Sequence, residues 1–278
     1  MYFILDKDMI EESIVAYLPS PSRGFNVTVP MAEVINAILY KLKSGVHWRL
    51  LPVKALFSDK VLCWQAVYYH YRKWCISGTW KECWIKFLGD HKSDLDLSSV
   101  DIDGSHTPAK RGGQTVEYQG RKKSKTTNSL YLTDRQGLPL AMSEPVAGNH
   151  NDLYDIEVQF EVVTATLQKA DIPVAGLFMN ADAGFDSKDF RNACAKMDIN
   201  ANICFNRRNG STHDREEYFD KDLYDERYAV ERANAWMDSY RSLLNRFDTT
   251  TESWKGFNYL AFIAIALKKF KKKKKIKV

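Results

Sequence analysis

The amino-acid sequence predicts a mixed α/β fold, in which helices cover both faces of a sheet and a small helical domain comes first. From Pro30 to Leu88 the apolar residues recur at three- and four-residue steps, as on the buried side of helices. From Leu97 the pattern changes to three strands, helix, strand, helix, strand, helix. These patterns predict a helical domain at 1–89, a linker at 90–96, an α/β domain at 97–267 and a basic tail at 268–278.

Three helices are predicted in the helical domain. The first begins after Pro30 and ends at Ser44, because the following Gly45 is a typical helix terminator. The other two are predicted near Ser58–Trp74 and Thr79–Leu88. Short helices with tight turns are typical of helix-turn-helix domains. The basic residues of this domain have two interpretations, contacts with phosphates or a solvated surface. They are Lys41, Lys43, Arg49, Lys54, Arg72, Lys73, Lys81 and Lys86.

The α/β domain is predicted to hold five strands and three helices. The predicted strands are Leu97–Asp103, Asn128–Thr133, Leu138–Val146, Val174–Met179 and Ile199–Asn206, and the predicted helices are Asp152–Ala170, Ser187–Met197 and Asp222–Phe247. The last helix has a broad apolar side. Opposite that side, a helical wheel brings together Tyr224, Arg227, Glu231 and Asp238.

Composition is that of an ordinary water-soluble protein. The 40 Lys and Arg residues against 35 Asp and Glu give a net charge of +5, and the tail, for which we predict disorder and no specific role, carries eight lysines. Charge alone therefore does not demand nucleic acid as a partner. Five cysteines without zinc-site spacing, together with no signal peptide and no transmembrane stretch, predict reduced thiols in the cytoplasm.

Two aspartates and one glutamate carry the predicted chemistry. Asp103 and Asp182 each end a predicted strand, and Glu231 lies on the last helix. Carboxylates gathered at neighbouring strand ends repel one another unless a cation lies between them, and divalent ions held in this way catalyse phosphoryl transfer. A single aspartate at a strand end is more often a turn or cap residue. Asp101 competes with Asp103 for the first position, and Asp186, a predicted helix cap, competes with Asp182.

Motifs along most of the chain resemble those of a known family. They are AILYKLKSGVHWRLLP and WQAVYYHYRKW near the start, DGSHTPAKR at Asp103–Arg111, GRKKSKTTNSLYLTDRQGLPL, GNHND, NADAGFDS at Asn180–Ser187, and YDERYAVERANAWMDSYRSLLNRF. The chain thus resembles bacterial insertion-sequence transposases of the DDE class, in the group with a Tyr-Arg-Glu-Lys signature. Tyr224, Arg227 and Glu231 match that signature, whereas Asp238 stands where the family has lysine.

The resemblance implies a fold and an activity. The fold would be RNase H-like, and the helical domain would bind DNA ends. Asp103, Asp182 and Glu231 would hold two Mg²⁺ ions, with Mn²⁺ able to substitute, for DNA strand cleavage and strand transfer. Tyr224 and Arg227 would orient the DNA end. The residues expected to contact phosphates are Lys110, Arg111, Arg121 and Lys122, with Arg241 or Arg246 in place of the missing lysine.

The implied partners are double-stranded DNA, both the element ends and the target, and a second copy of the chain on that DNA. Neither a membrane nor a small-molecule substrate is implied. The acidic Asp238 leaves an alternative, a transposase-derived DNA-binding protein without catalytic activity. A metal-dependent nuclease of the same fold without strand transfer is a third interpretation. His106, close to Asp103 in sequence, is a residue that could contact DNA or metal and is left unassigned.

Overall fold

The computed structural model describes residues 2–19, 28–210 and 218–276. Its α-helices are α1 (Lys7–Ser13), α2 (Met31–Ser44), α3 (Val53–Leu56), α4 (Trp64–Ile76), α5 (Thr79–Asp90), α6 (Ile156–Lys169), α7 (Lys188–Lys196), α8 (Lys221–Asp225), α9 (Tyr228–Asp238), α10 (Arg241–Leu244) and α11 (Thr251–Ile276). Its strands are β1 (Val100–Pro108), β2 (Glu117–Gln119), β3 (Ser124–Asp134), β4 (Pro139–Met142), β5 (Val146–Ala147), β6 (Phe178–Ala181) and β7 (Asn200–Ile203).

The chain divides into two compact units. One, the helical unit, comprises Met1–Phe87 together with Met237–Val278, and the other, the sheet unit, comprises Leu88–Trp236. The sequence pattern instead assigns residues 237–267 to the sheet, because apolar periodicity does not reveal which unit a helix packs against. The limits of the catalytic domain stay a prediction.

α2 forms the centre of the helical unit. It has the predicted bounds, and Gly45 ends it with φ 68° while donating its N–H to the Lys41 carbonyl at 2.9 Å. Most of its residues are buried, since α1, α4, α10 and α11 all pack against it. α11 buries the apolar stretch Tyr259–Leu267 and continues to Ile276. The predicted disorder of the tail is therefore wrong for residues 268–276, where lysines, which are good helix formers, extend a helix anchored by its buried part.

The basic residues of this unit do not all face solvent. Lys41 is buried, and its Nζ donates to Ser242 Oγ at 3.0 Å. Burial lowers the pKa of Lys41, and the nearby Asp248 carboxylate opposes that change. Lys43 Nζ donates to the Ser239 carbonyl at 2.9 Å. Lys41 is thus part of the core and is not available to a phosphate.

The sheet unit is built around β1. This strand runs antiparallel to β3 and parallel to β6, in the order β2-β3-β1-β6-β7, with β4 and β5 also paired to β3. A central first strand between one antiparallel and one parallel neighbour is the arrangement of the RNase H-like fold, and the predicted fold class is confirmed. The predicted strands are present with shifted bounds, except that Leu138–Val146 is wrong as one strand. It is divided into β4 and β5, because Ser143–Pro145 leaves the strand conformation and Pro145 has no N–H to donate. The additional strand β2 carries no sequence signal, because Glu117–Gln119 is short and exposed and shows no apolar alternation.

The predicted helix Asp222–Phe247 is wrong as one continuous element. It is divided into α8, α9 and α10, with breaks at 226–227 and 239–240. At the first break, Glu226 accepts a hydrogen bond from Arg135 Nη2 at 2.6 Å. At the second, Tyr240 has an extended backbone (φ −97°, ψ 103°). Tertiary contacts thus override a sequence pattern that suits a single helix.

Candidate active site

The parallel pairing of β1 and β6 determines where Asp103 and Asp182 lie. Asp101 and Asn180 are register partners across the two strands. Asp103 lies two residues beyond Asp101, and Asp182 lies two residues beyond Asn180, so the two aspartates lie at the same level of neighbouring parallel strands. The prediction that Asp103 ends its strand is wrong, because pairing with β3 continues β1 to Pro108, whereas β6 ends at Ala181, directly before Asp182. The structure therefore brings these two predicted residues together.

The electrostatics of Asp103 reflect this proximity. Burial raises the pKa of Asp103 to about 7; Arg227 opposes the shift, and the Asp182 carboxylate adds to it. Asp103 Oδ1 accepts from the Gly104 N–H at 2.9 Å, and Asp182 Oδ1 accepts from the Gly184 N–H at 2.8 Å. These bonds hold both side chains in place while leaving lone pairs on each carboxylate.

The two competing aspartates have other partners. Asp101 is buried and accepts from Asn180 Nδ2 at 2.9 Å, and Asn180 in turn accepts from Asn202. Asp186 is buried and pairs with Arg191 Nη2 at 2.9 Å. Asp186 does not cap the next helix as predicted, because the Ser187 hydroxyl accepts from Phe190 N there. Both aspartates are occupied in structural networks, which favours Asp103 and Asp182 for the site.

Tyr224 and Arg227 lie beside the aspartate pair. The Arg227 charge acts on Asp101 and Asp103, and its guanidinium carbon is 5.6 Å from the centre of the Tyr224 ring. Burial raises the pKa of Tyr224; Arg227 opposes that shift, and Asp182 adds to it. Two residues of the predicted signature therefore reach the predicted site, one from α8 and one from the break that follows it.

Glu231 does not join them. It is exposed in the first turn of α9, because the break before α9 ends the common helix face expected from the sequence. Within the described residues, no three His, Cys, Asp or Glu side chains lie close enough together to hold a metal ion. Asp238, at the family's lysine position, is also exposed. The role of Glu231 stays a prediction.

The predicted phosphate-contacting residues are exposed. Lys110 and Arg111 follow β1. Arg121 and Lys122 lie in the turn between β2 and β3, and their charges contribute to lowering the pKa of His106 on β1. These four belong to the sheet unit. Arg241 is exposed in α10 of the helical unit. It does not lie on the helix that carries Glu231, so helical spacing does not place it near the site.

Asp152 is a residue of this region to which the sequence pattern assigns no role. It packs over Gly104, where an added Cβ would lie 2.0 Å from its Oδ1. The same oxygen accepts from Asn128 Nδ2 at 2.8 Å and lies 3.9 Å from His106 Nε2. Burial lowers the pKa of His106, so this contact is not an ion pair at neutral pH. The signal that could have indicated Asp152 is the glycine inside β1, since strand glycines mark close approaches.

The aspartate pair suits a hard divalent cation. Its donors are carboxylate oxygens, which Mg²⁺ and Mn²⁺ prefer, and a cation would relieve the repulsion that contributes to the raised pKa of Asp103. The pair fits one ion. The described residues do not assemble the three-carboxylate set expected for two ions, since Glu231 lies elsewhere.

The raised pKa of Asp103 predicts how stability depends on pH. The pKa of Asp103 is about 7 in the folded protein and 3.8 for an ordinary aspartate, so between these pH values the folded state binds the proton more tightly than the unfolded state. The free energy of unfolding therefore falls as the pH rises from 3.8 to about 7. The charged groups that act on Asp103 are Arg227, Asp182 and Asp152. In chelator, the parent should lose more stability between pH 5 and pH 8 than Asp103→Asn, as measured by urea unfolding. Glu161→Gln, at an exposed acid on α6, is the control, and parallel curves for parent and Asp103→Asn would contradict this assignment.

Comparisons with known proteins give two family matches along the chain. Residues 100–267, more than half of the chain, match the family model described as "DDE superfamily endonuclease", and residues 10–84 match "Putative transposase of IS4/5 family". A 103-residue stretch, 35% of the chain and 67% of the relative, is 28% identical to the uncharacterized 16.2 kDa protein of insertion element IS402 from Burkholderia cepacia.

Solved structures with some similarity are complexes of the Mos1 transposase. The Mos1 strand transfer complex aligns with a TM-score of 0.33 at 14% identity, covering 87% of this chain and 78% of that one. A pre-cleavage Mos1 transpososome aligns with a TM-score of 0.29 at 11% identity, covering 89% and 81%. These similarities are weak and carry no conclusion about function. Within the described ranges, none of the helices combines the length and apolar character needed to cross a membrane.

Proposed function

The chain belongs to the DDE superfamily endonuclease family, within the transposases of insertion sequences, and from that premise we propose that it is an active DNA transposase. It binds the terminal inverted repeats of its element as a homodimer, cleaves DNA strands there and transfers them to target DNA. The observation that supports the proposal is the strand register, in which Asp103 and Asp182 lie two residues beyond the register partners Asp101 and Asn180.

Each residue has a part in this proposal. Asp103 and Asp182 would hold one Mg²⁺ ion, for which Mn²⁺ substitutes, and Glu231 would complete a site for a second ion only if α9 brings it to the aspartate pair. Bound metal supplies charge neutralisation at the scissile phosphate and lowers the pKa of an attacking water or 3′-hydroxyl. Arg227 brings a fixed positive charge to the site, and Tyr224 offers a ring and a hydroxyl to the DNA end. The exposed Lys110, Arg111, Arg121 and Lys122 contact phosphates and hold the register of the duplex, and Arg241 does so from the helical unit.

A plasmid assay tests this function. The substrate is a supercoiled plasmid with both DNA ends of the encoding element, incubated with the full chain in Mg²⁺, in Mn²⁺ or in chelator. We expect breaks at the element ends with either metal and none in chelator, and insertion products when a target plasmid is added.

Other outcomes identify the other functions. Binding to the ends without breaks in any condition would indicate the catalytically inactive DNA-binding protein. Metal-dependent breaks without insertion into the target would indicate a nuclease of this fold. Either result would overturn the proposal.

A further inference from the structure

One helix of the helical unit presents an exposed surface on the side away from its core contacts. α4 packs into the core through Val67, Tyr71, Trp74 and Cys75. Its opposite side, the α4 face, consists of Gln65, Tyr69, Lys73 and Ile76, all exposed. At 3.6 residues per turn these four positions lie within an arc of about 80°. The α4 face is therefore one continuous stripe along the helix.

The segment that carries the α4 face is basic in sequence. Residues 34–78 contain seven Lys and Arg residues, of which Lys41 is buried, but a single acidic residue, Asp59, and α4 itself contains no acid. Exposed Glu252 of α11 lines the same pocket as Ile76 at the end of α4. The other exposed helices near the start of the chain differ, since α1 exposes Asp8, Glu11 and Glu12, and α5 exposes Glu82. Positive charge on a helix that has no acids of its own suits a polyanion, whereas mixed charge is typical of a solvated face.

The α4 face also has polar side chains without hydrogen-bond partners among the described residues. The side chains of Gln65 and Tyr69 form no hydrogen bond with any other described residue, and Tyr69 is 63% exposed, with its ring edge toward His70 at 5.7 Å. At the beginning of α4, the first turn holds no acidic residue and Cys63 provides no side-chain cap. Exposed Arg49 lies beside it, 5.9 Å from the Trp64 ring. Open N–H groups and an arginine suit a phosphate.

We propose that α4 is the helix with which this unit reads the base sequence of the DNA end, with the α4 face in the major groove. The inference rests on the proposed function and names the helix that recognises the base sequence. A 13-residue helix is about 20 Å long and fits a groove about 12 Å wide. Gln65 can pair with the edge of adenine, and Tyr69 can pack against a thymine methyl group. Lys73 and Arg49 contact the flanking phosphates.

The test compares two duplexes by fluorescence anisotropy with the full chain. One duplex carries the end sequence of the encoding element, and the other carries the same bases in scrambled order. Gln65→Ala and Tyr69→Ala should each weaken binding to the end duplex at least about fivefold, with less than twofold change for the scrambled duplex. Lys73→Ala should weaken binding to both and reduce the salt dependence by about one phosphate contact. Lys7→Ala, at an exposed lysine on α1, is the matched control and should change neither.

Several results would overturn the proposal. These are equal losses on both duplexes for Gln65→Ala and Tyr69→Ala, unchanged binding, or a parent that does not distinguish the duplexes. Dimers in solution that the same variants dissociate would instead show that a second copy covers the α4 face. Circular dichroism melting confirms that each variant is folded. Loss of plasmid cleavage with intact end binding would refute the proposed catalysis and leave this inference standing.

Discussion

Asp182→Asn should lower the rate of DNA strand cleavage by about a thousandfold or more while leaving the protein folded. A bound metal contributes several kcal/mol to the transition state of phosphoryl transfer, and each 1.4 kcal/mol is tenfold in rate. The asparagine keeps an oxygen for the Gly184 N–H, so the local turn is preserved. It also removes the repulsion between Asp182 and Asp103, so the free energy of unfolding should not fall. Inactivation without destabilisation is the expected signature of a functional residue.

The measurement pairs plasmid cleavage with Mn²⁺ binding by calorimetry. Asp189→Asn, at an exposed aspartate on α7, is the control and should cleave and bind like the parent. Asp103→Asn should match Asp182→Asn. Glu231→Gln tests whether α9 supplies the third carboxylate. We expect its loss of plasmid cleavage to be as severe as that of Asp182→Asn. Unchanged cleavage in Asp182→Asn would refute the active-site assignment, and unchanged cleavage in Glu231→Gln alone would remove Glu231 from the site.

Gly137→Ala should lower the free energy of unfolding of the sheet unit by about 3 kcal/mol. Gly137 lies in the turn between β3 and β4 with φ 82°, and an added Cβ would come within 2.6 Å of the Ala229 carbonyl oxygen on α9. The backbone conformation costs an L-residue about 1–2 kcal/mol, and the contact with a backbone atom adds a strain of similar size.

A second glycine separates these two contributions. Gly176 has nearly the same backbone angle, φ 80°, but no atom of the described residues lies within 4 Å of the position that an added Cβ would take. Gly176→Ala therefore measures the conformational cost alone, and urea unfolding should show it to be about 1–2 kcal/mol less destabilising than Gly137→Ala. Equal losses would mean that α9 shifts freely and that Gly137 does not fix its position.

The predictable parts of this fold are those with strong local signals. α2 is correct at both ends because Pro30 and Gly45 bound a run of apolar residues with helical spacing. Asp103 and Asp182 are predictable from the short apolar runs that precede them, although no local signal shows that β1 continues past Asp103 to Pro108. Such features depend on neighbours in sequence.

The missed parts depend on distant residues. At the break at 226–227, Glu226 contacts Arg135, 91 positions away. Asp152 approaches Gly104 across 48 positions, and neither residue carries a local pattern that specifies the other. The buried Lys41 resembles a surface lysine in sequence because its partner Ser242 is 201 positions away. Apolar periodicity contains no information about such separations.

The helical unit is built from two segments that lie far apart in sequence, and this affects the timing of its folding during synthesis. Its residues come from Met1–Phe87 and Met237–Val278, so α2 lacks the packing of α10 and α11 until the ribosome has made them. At about 5–20 residues per second, the interval between the two segments is on the order of 10–30 s. The sheet unit is complete in sequence before that moment. A nascent chain would therefore hold its candidate catalytic aspartates in a folded sheet before the first helices have a finished core, and a message truncated before α11 would leave those helices without their partner.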